Sequence, residues 1–285
     1  MPGSDRLPLS ADDWLDACRR IVAGHRELFR RTRGIEARTR YAGVGEGGDR
    51  SLVIDREAEE IAFAELERLH RAGAAFTAIS EERGEVRFGA AGAPTTVVVD
   101  PIDGSLNARR MVPSFAFSIG IASGPSLGEV ELAFVHDFGS GEEFTAERGA
   151  GARLDGVELL ARGPGYGLEL VGLEGTKPER ILPLVEGLAG TAFRIRGVGS
   201  LALSLCYVAA ARFDGMLSGR AARSVDVAAA QLIVREAGAN VKFDRLDLSQ
   251  ARLGLETRYD VAAALDEEML GVLLEIQRAA PAEAM

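Results

Sequence analysis

Core-type residues recur every three or four positions at Trp14, Leu15, Cys18, Ile21, Val22, His25, Leu28 and Phe29, and Ser10 stands where an N-cap belongs. The chain is therefore predicted to open with a helix over 11–31. The next stretch, 34–49, is rich in glycine and charge and has no period, so it reads as a flexible surface loop. Helical spacing resumes over 55–72 through Ile61, Ala62, Ala64, Leu66 and Leu69, with Gly73 placed to end it. Glu57, Glu59, Glu60, Glu65 and Glu67 then read as the solvated face of that helix.

Beyond Gly73 the pattern shortens. Residues 75–80 and 95–99 are runs of apolar and β-branched residues that end abruptly in acids, Glu81-Glu82 after the first and Asp100 after the second. Runs at 115–122, 130–137 and 142–145, separated by Gly and Pro turns, extend this into a mainly antiparallel meander. From Gly167 onward strands (168–173, 193–198, 215–217) alternate with helices (177–188, 200–211, 225–237). Five glycines between Gly149 and Gly165 mark the changeover. The expected organisation is an α+β half over 1–148 and an α/β half over 149–285, joined in one packed body.

Composition narrows the function classes. With 285 residues, 47% hydrophobic and 27% charged, the chain has the profile of a folded globular protein. A formal charge of −10 argues against a general grip on nucleic acid and implies that an anionic substrate needs bound cations. The first fifteen residues lack a basic segment followed by an apolar run, and charges break every apolar stretch before ~18 residues. The expectation is a cytoplasmic protein with no membrane partner. Cys18 and Cys206 have no motif spacing and read as buried free thiols, and His25, His70 and His136 are not spaced as metal ligands.

The richest segment is Val99-Asp100-Pro101-Ile102-Asp103-Gly104-Ser105-Leu106-Asn107. A buried strand ends in Asp100, Pro101 fixes the turn, Asp103 can point into the same space, and Gly104 permits a tight bend into a short helix at Ser105. Two hard oxygen ligands that converge suit Mg²⁺, which takes one or two carboxylates and completes its shell with water and phosphate oxygens. The same residues also make a common turn, and Asp226, at the start of Val225-Asp226-Val227-Ala228-Ala229, can equally be a helix N-terminal charge. A shared metal accounts for Glu81-Glu82, the Asp100 segment and Asp226 together.

Taken in order, Asp55, Ile79-Ser80-Glu81-Glu82, the Asp100–Asn107 segment and Val225–Ala229 resemble the inositol monophosphatase family over nearly the whole chain. The likeness is greatest to archaeal-type members that act on inositol phosphate and fructose 1,6-bisphosphate. The resemblance implies an αβαβα layered sandwich and a homodimer. It implies two or three Mg²⁺ per site, held by Glu81, Asp100, the Ile102 carbonyl, Asp103 and Asp226, and an attacking water activated by these cations. It further implies that Asp55 and Ser105 orient and deprotonate that water, that the Gly104 and Ser105 amides bind phosphate, and that Ser200 and Leu201 meet the substrate. One departure bears on specificity. Where inositol-type members carry a Glu seven residues before the last Asp, this chain has Gly219, with Arg220 next to it as a substitute contact for a hydroxyl or second phosphate. The expected substrate is a small phosphorylated sugar or cyclitol. The alternatives are a phosphatase of 3′-phosphoadenosine 5′-phosphate or NADP(H), and a non-catalytic module that binds metal or phosphometabolite.

Overall fold

The computed structural model describes residues 7–44, 50–90, 92–163, 165–175, 177–219, 222–243 and 246–280. Helix α1 (Ala11–Arg31) starts where its pattern places it. The Ser10 hydroxyl accepts from the Asp13 amide at 3.2 Å, and the Asp13 carboxylate takes the Ser10 amide in return.

Segment 34–49 departs from the irregular loop expected of it. It forms a helical turn, α2 (Ile35–Arg38), and a strand, β1 (Tyr41–Val44), that pairs antiparallel with β2 (Arg50–Leu52); residues 45–49 lie outside the described residues. The physical reason is Arg38. Its buried guanidinium donates to the carbonyls of Phe29, Thr32 and Ala108, satisfying groups that helix ends leave open. A single charged anchor leaves no periodic trace in a sequence.

After α3 (Val53–Arg71) come β3 (Phe76–Ser80), β4 (Gly84–Phe88), β5 (Thr96–Asp103), the short α4 (Ser105–Arg110), β6 (Ala116–Ala122), β7 (Val130–Asp137), β8 (Glu143–Glu147), β9 (Gly151–Leu154) and β10 (Val157–Leu159). These strands make an eight-stranded sheet in the order β10-β9-β8-β7-β6-β5-β3-β4, antiparallel except for the β3–β5 pair. Strands β9 and β10 lie in the glycine-rich stretch read as the changeover, so the first sheet continues to Leu159.

The chain then forms β11 (Leu170–Glu174), α5 (Pro178–Leu188), β12 (Arg194–Arg196), α6 (Leu201–Ala209), β13 (Gly215–Ser218), α7 (Ser224–Glu236), β14 (Asn240–Phe243), β15 (Val261–Ala264) and α8 (Glu267–Ala279). The second sheet runs β12-β11-β13-β15-β14, with β12, β11 and β13 mutually parallel.

Alternation along β6 shows how the layers form. Phe117, Ile119 and Ile121 join the core under α1 and α3, whereas Ala116 and Ala122 join the core shared with α6 and α7. The second sheet packs its other face on α5 and α8. The result is the αβαβα sandwich, with α6 and α7 as the central helical layer. Gly120 lets α7 approach, since a Cβ there would stand 3.2–3.3 Å from the backbone of Ala228 and Ala229. None of the described helices is long and apolar enough to cross a membrane.

His25 is buried among Phe29, Phe117 and Phe138, with Nε2 2.8 Å from the Ala58 carbonyl. Burial is the main cause that lowers its pKa, to about 4. A depressed folded-state value means that its contribution to stability is present above about pH 6.5 and is lost as pH falls toward 4. Urea unfolding of His25→Gln should therefore show a flatter pH dependence than wild type between those values; equal slopes would contradict this assignment.

Candidate active site

Strict alternation along β5 would send Asp100 and Asp103 to opposite faces of the sheet. A bulge prevents this. Asp100 pairs with Ser118 and Asp103 with Ala116, so three steps on β5 match two on β6, and Pro101 sits within the irregularity. The Ile102 amide donates to Asp100 Oδ1 at 3.0 Å and fixes that carboxylate. Asp103 is held from the other half of the molecule, its Oδ2 accepting from Ser200 Oγ at 2.5 Å and from the Ala202 amide at 2.8 Å. Asp226 projects from the first turn of α7, its Oδ2 accepting from the Arg223 amide at 2.7 Å.

Asp100, Asp103 and Asp226 are all buried, and one ligand oxygen from each lies within 4.8 Å of the others. Three carboxylates this close, out of bulk water, repel one another unless a cation neutralises them. An all-oxygen, all-anionic donor set fits a hard divalent ion rather than a soft one.

These groups open on a cleft of about 370 Å³ lined by residues of both halves of the chain. Gly104 has φ 85°, and a Cβ there would lie 3.0 Å from the carbonyl oxygens of Gly199 and Ser114, so glycine alone makes this bend. Ser105 follows, exposed at the start of α4. Ile102, Gly104, Ser105 and Leu201 line the cleft. Ser200, expected to meet the substrate through its hydroxyl, is buried and gives that hydroxyl to Asp103. Glu81 and Glu82 line the same cleft, but Glu81 stands apart from the aspartate triad and pairs with Arg223. Arg220 lies outside the described residues.

Asp55 enters from the first turn of α3. Its Oδ2 accepts from the Leu52 amide at 3.3 Å, while Oδ1 is buried and has no hydrogen-bond partner among the described residues. Burial, aided by the charge of Glu82, raises its pKa to about 6, against the opposing effects of the Leu52 amide and Arg109.

Three supporting residues escaped the sequence pattern. Glu59 is buried, not solvated: it accepts from Ser80 Oγ and pairs with Arg83 at 3.4 Å, bracing the turn that presents Glu81 and Glu82. Its place four residues after Asp55 and directly after the buried Ala58 was the available signal. Asn107 Nδ2 donates to the carbonyls of Ser114 at 2.7 Å and Val198 at 2.8 Å, tying α4 to the second half. Glu174, at the end of β11, is buried beneath the cleft, and burial raises its pKa.

Comparison with known proteins identifies the family and the fold. Residues 16–280 match the Inositol monophosphatase family. A Thermococcus kodakarensis protein named fructose-1,6-bisphosphatase/inositol-1-monophosphatase is 34% identical over 242 residues, covering 84% of this chain and 87% of its own. The Nus factor SuhB of Escherichia coli K12 is 34% identical over 199 residues, or 65% of this chain and 68% of its own. A crystal structure described as an inositol monophosphatase-fructose 1,6 bisphosphatase superposes with a TM-score of 0.80 at 27% identity, covering 92% of this chain and 99% of the other.

Proposed function

This chain belongs to the inositol monophosphatase family and is a phosphoric monoester hydrolase, and from that premise we propose that it hydrolyses inositol 1-phosphate, with fructose 1,6-bisphosphate as a second substrate, in a Mg²⁺-dependent reaction. The observation that carries the reading is the convergence of Asp100, Asp103 and Asp226 in a buried cluster.

Mg²⁺ bound there would neutralise charge on the phosphoryl group and lower the pKa of an attacking water. The three aspartates would hold the ions, with the Ile102 carbonyl as a further oxygen donor; Glu81, paired here with Arg223, would supply another carboxylate. Ser200 and Ala202 keep Asp103 aimed at the cluster. Asp55, with one uncommitted carboxylate oxygen, orients the water with Ser105 and takes its proton. The Gly104 and Ser105 amides receive the phosphate, and Leu201 bounds the rest of the substrate. The protein needs no covalent intermediate for this chemistry.

The name of the Thermococcus relative supports both substrates. The same proposal includes a cytoplasmic homodimer that does not act on nucleic acid or membranes. Phosphate release with Mg²⁺ should be measured on inositol 1-phosphate, fructose 1,6-bisphosphate, 3′-phosphoadenosine 5′-phosphate and NADP. We expect the first two to be turned over with the higher kcat/KM; a preference for either nucleotide would replace this reading, and silence on all four would end it.

A further inference from the structure

The second sheet has a topological switch point. The chain leaves β11 through α5 to reach β12 on one side, then returns through α6 to β13 on the other side of β11. Helices α5 and α7, entered from β11 and β13, pack on opposite faces of the sheet, and the end of β11, Glu174 and Gly175, lines the cleft. Open α/β sheets receive ligands at this place.

Here Gly175 lines the cleft that holds the aspartate cluster, and Gly219, the residue after β13, packs against Gly175. The Gly219 amide donates to the Glu174 carbonyl at 2.5 Å, so the two strand ends are tied together. A side chain at either glycine would run into α5: a Cβ on Gly219 lies 3.2 Å from both the Arg180 carbonyl oxygen and Ile181, and one on Gly175 collides with Ile181. Neither glycine can therefore carry a side chain without displacing α5, and Glu174 is the polar side chain that β11 presents to the cleft.

The acceptor inventory of Glu174 is specific. Oε1 accepts from the Val198 amide at 2.8 Å and from Ser204 Oγ at 2.6 Å, and Oε2 accepts from the Gly199 amide at 3.0 Å. A carboxylate offers about four acceptor positions, which leaves one on Oε2 among the described residues. Glu174 is only 5% exposed, and the cleft is the space it lines. An anionic, acceptor-only group repels phosphate and selects a donor. The phosphoryl group is thereby directed to the aspartate end, and the hydroxyl-bearing end of the molecule to β11.

We propose that Glu174 is the specificity-determining residue of this site, its Oε2 accepting a hydrogen bond from a hydroxyl of a polyol phosphate. The inference rests on the sugar or cyclitol phosphatase reading above. It assigns Glu174 two tasks: its amide contacts hold the Val198–Ser200 turn, which in turn holds Asp103, and its remaining acceptor position reads the substrate.

The test separates those tasks by using two substrates. For Glu174→Gln, kcat/KM is measured on inositol 1-phosphate and on p-nitrophenyl phosphate, which has no hydroxyl. Any damage to the turn lowers both rates alike, whereas loss of the hydroxyl contact lowers their ratio, by about tenfold or more. A second measurement needs no variant: single-deoxy analogues of inositol 1-phosphate are assayed with the wild-type enzyme. At least one analogue should lose about tenfold in kcat/KM. An unchanged ratio in the variant, or deoxy analogues that all match the parent, overturns the assignment of Glu174. Wild-type enzyme that cleaves p-nitrophenyl phosphate but not inositol 1-phosphate overturns the substrate reading itself, a result distinct from an unchanged ratio.

Discussion

Asp100→Asn is expected to lower kcat by more than about 100-fold and to weaken divalent-cation binding in the same variant. The substitution keeps the volume and an oxygen able to accept the Ile102 amide, so strand β5 and its bulge have no reason to move. What it removes is one negative charge from a buried cluster whose ligand atoms lie within 4.8 Å of one another. Calorimetric titration with Mn²⁺ and steady-state rates at saturating Mg²⁺ test both halves of the expectation. Asp137 supplies the contrast. It is also a buried aspartate at a strand end, but its oxygens are committed to Tyr207, Gly139 and Ser140. Asp137→Asn should cost stability and leave Mn²⁺ affinity near wild type. An Asp100→Asn enzyme that binds Mn²⁺ normally and keeps its rate would remove Asp100 from the site.

That contrast shows what the sequence could and could not convey. Asp100 and Asp137 both follow apolar strands, and periodicity places both correctly. Only Asp100 is followed by Pro and a second Asp, and the proline within a strand is itself the signal of a bulge. Helix α1 was legible because one buried face stamps a period on the chain, and strand β7 because burial on both faces leaves a short, nearly continuous apolar run. Strands β9 and β10 were not, because they are short, half exposed and rich in glycine. Glu59, Asn107 and Glu174 were illegible for a different reason. Each acts through a few hydrogen bonds to residues distant in sequence, Glu59 to Ser80, Asn107 to Val198, Glu174 to Val198, Gly199 and Ser204. A pattern of apolar positions records which face is buried, not which polar group waits there. Arg38 belongs with them, since three backbone carbonyls around a buried guanidinium turn an aperiodic stretch into an ordered one.

Asp55→Asn should lose about 10²–10⁴-fold in kcat, the range that a positioned proton acceptor contributes, while the metal-free protein becomes more stable at pH 8. The two signs together identify a functional carboxylate. Oδ1 of Asp55 is buried with no partner among the described residues, and the pKa raised to about 6 records the cost of keeping it charged there. A folded-state value above the unfolded one means that the folded protein is favoured below the unfolded pKa and loses that advantage as pH rises through about 6. Asparagine carries no such cost and keeps an oxygen for the Leu52 amide. Thermal unfolding in chelator at pH 8 should therefore place the variant above wild type, and the difference should vanish near pH 4. On the kinetic side, kcat/KM of the wild-type enzyme should fall as pH drops below about 6, or below a lower value once Mg²⁺ favours the charged carboxylate. The variant should lack that acid limb. A variant that is both inactive and less stable than wild type at pH 8 would mark Asp55 as a structural residue, and another group would have to take the proton.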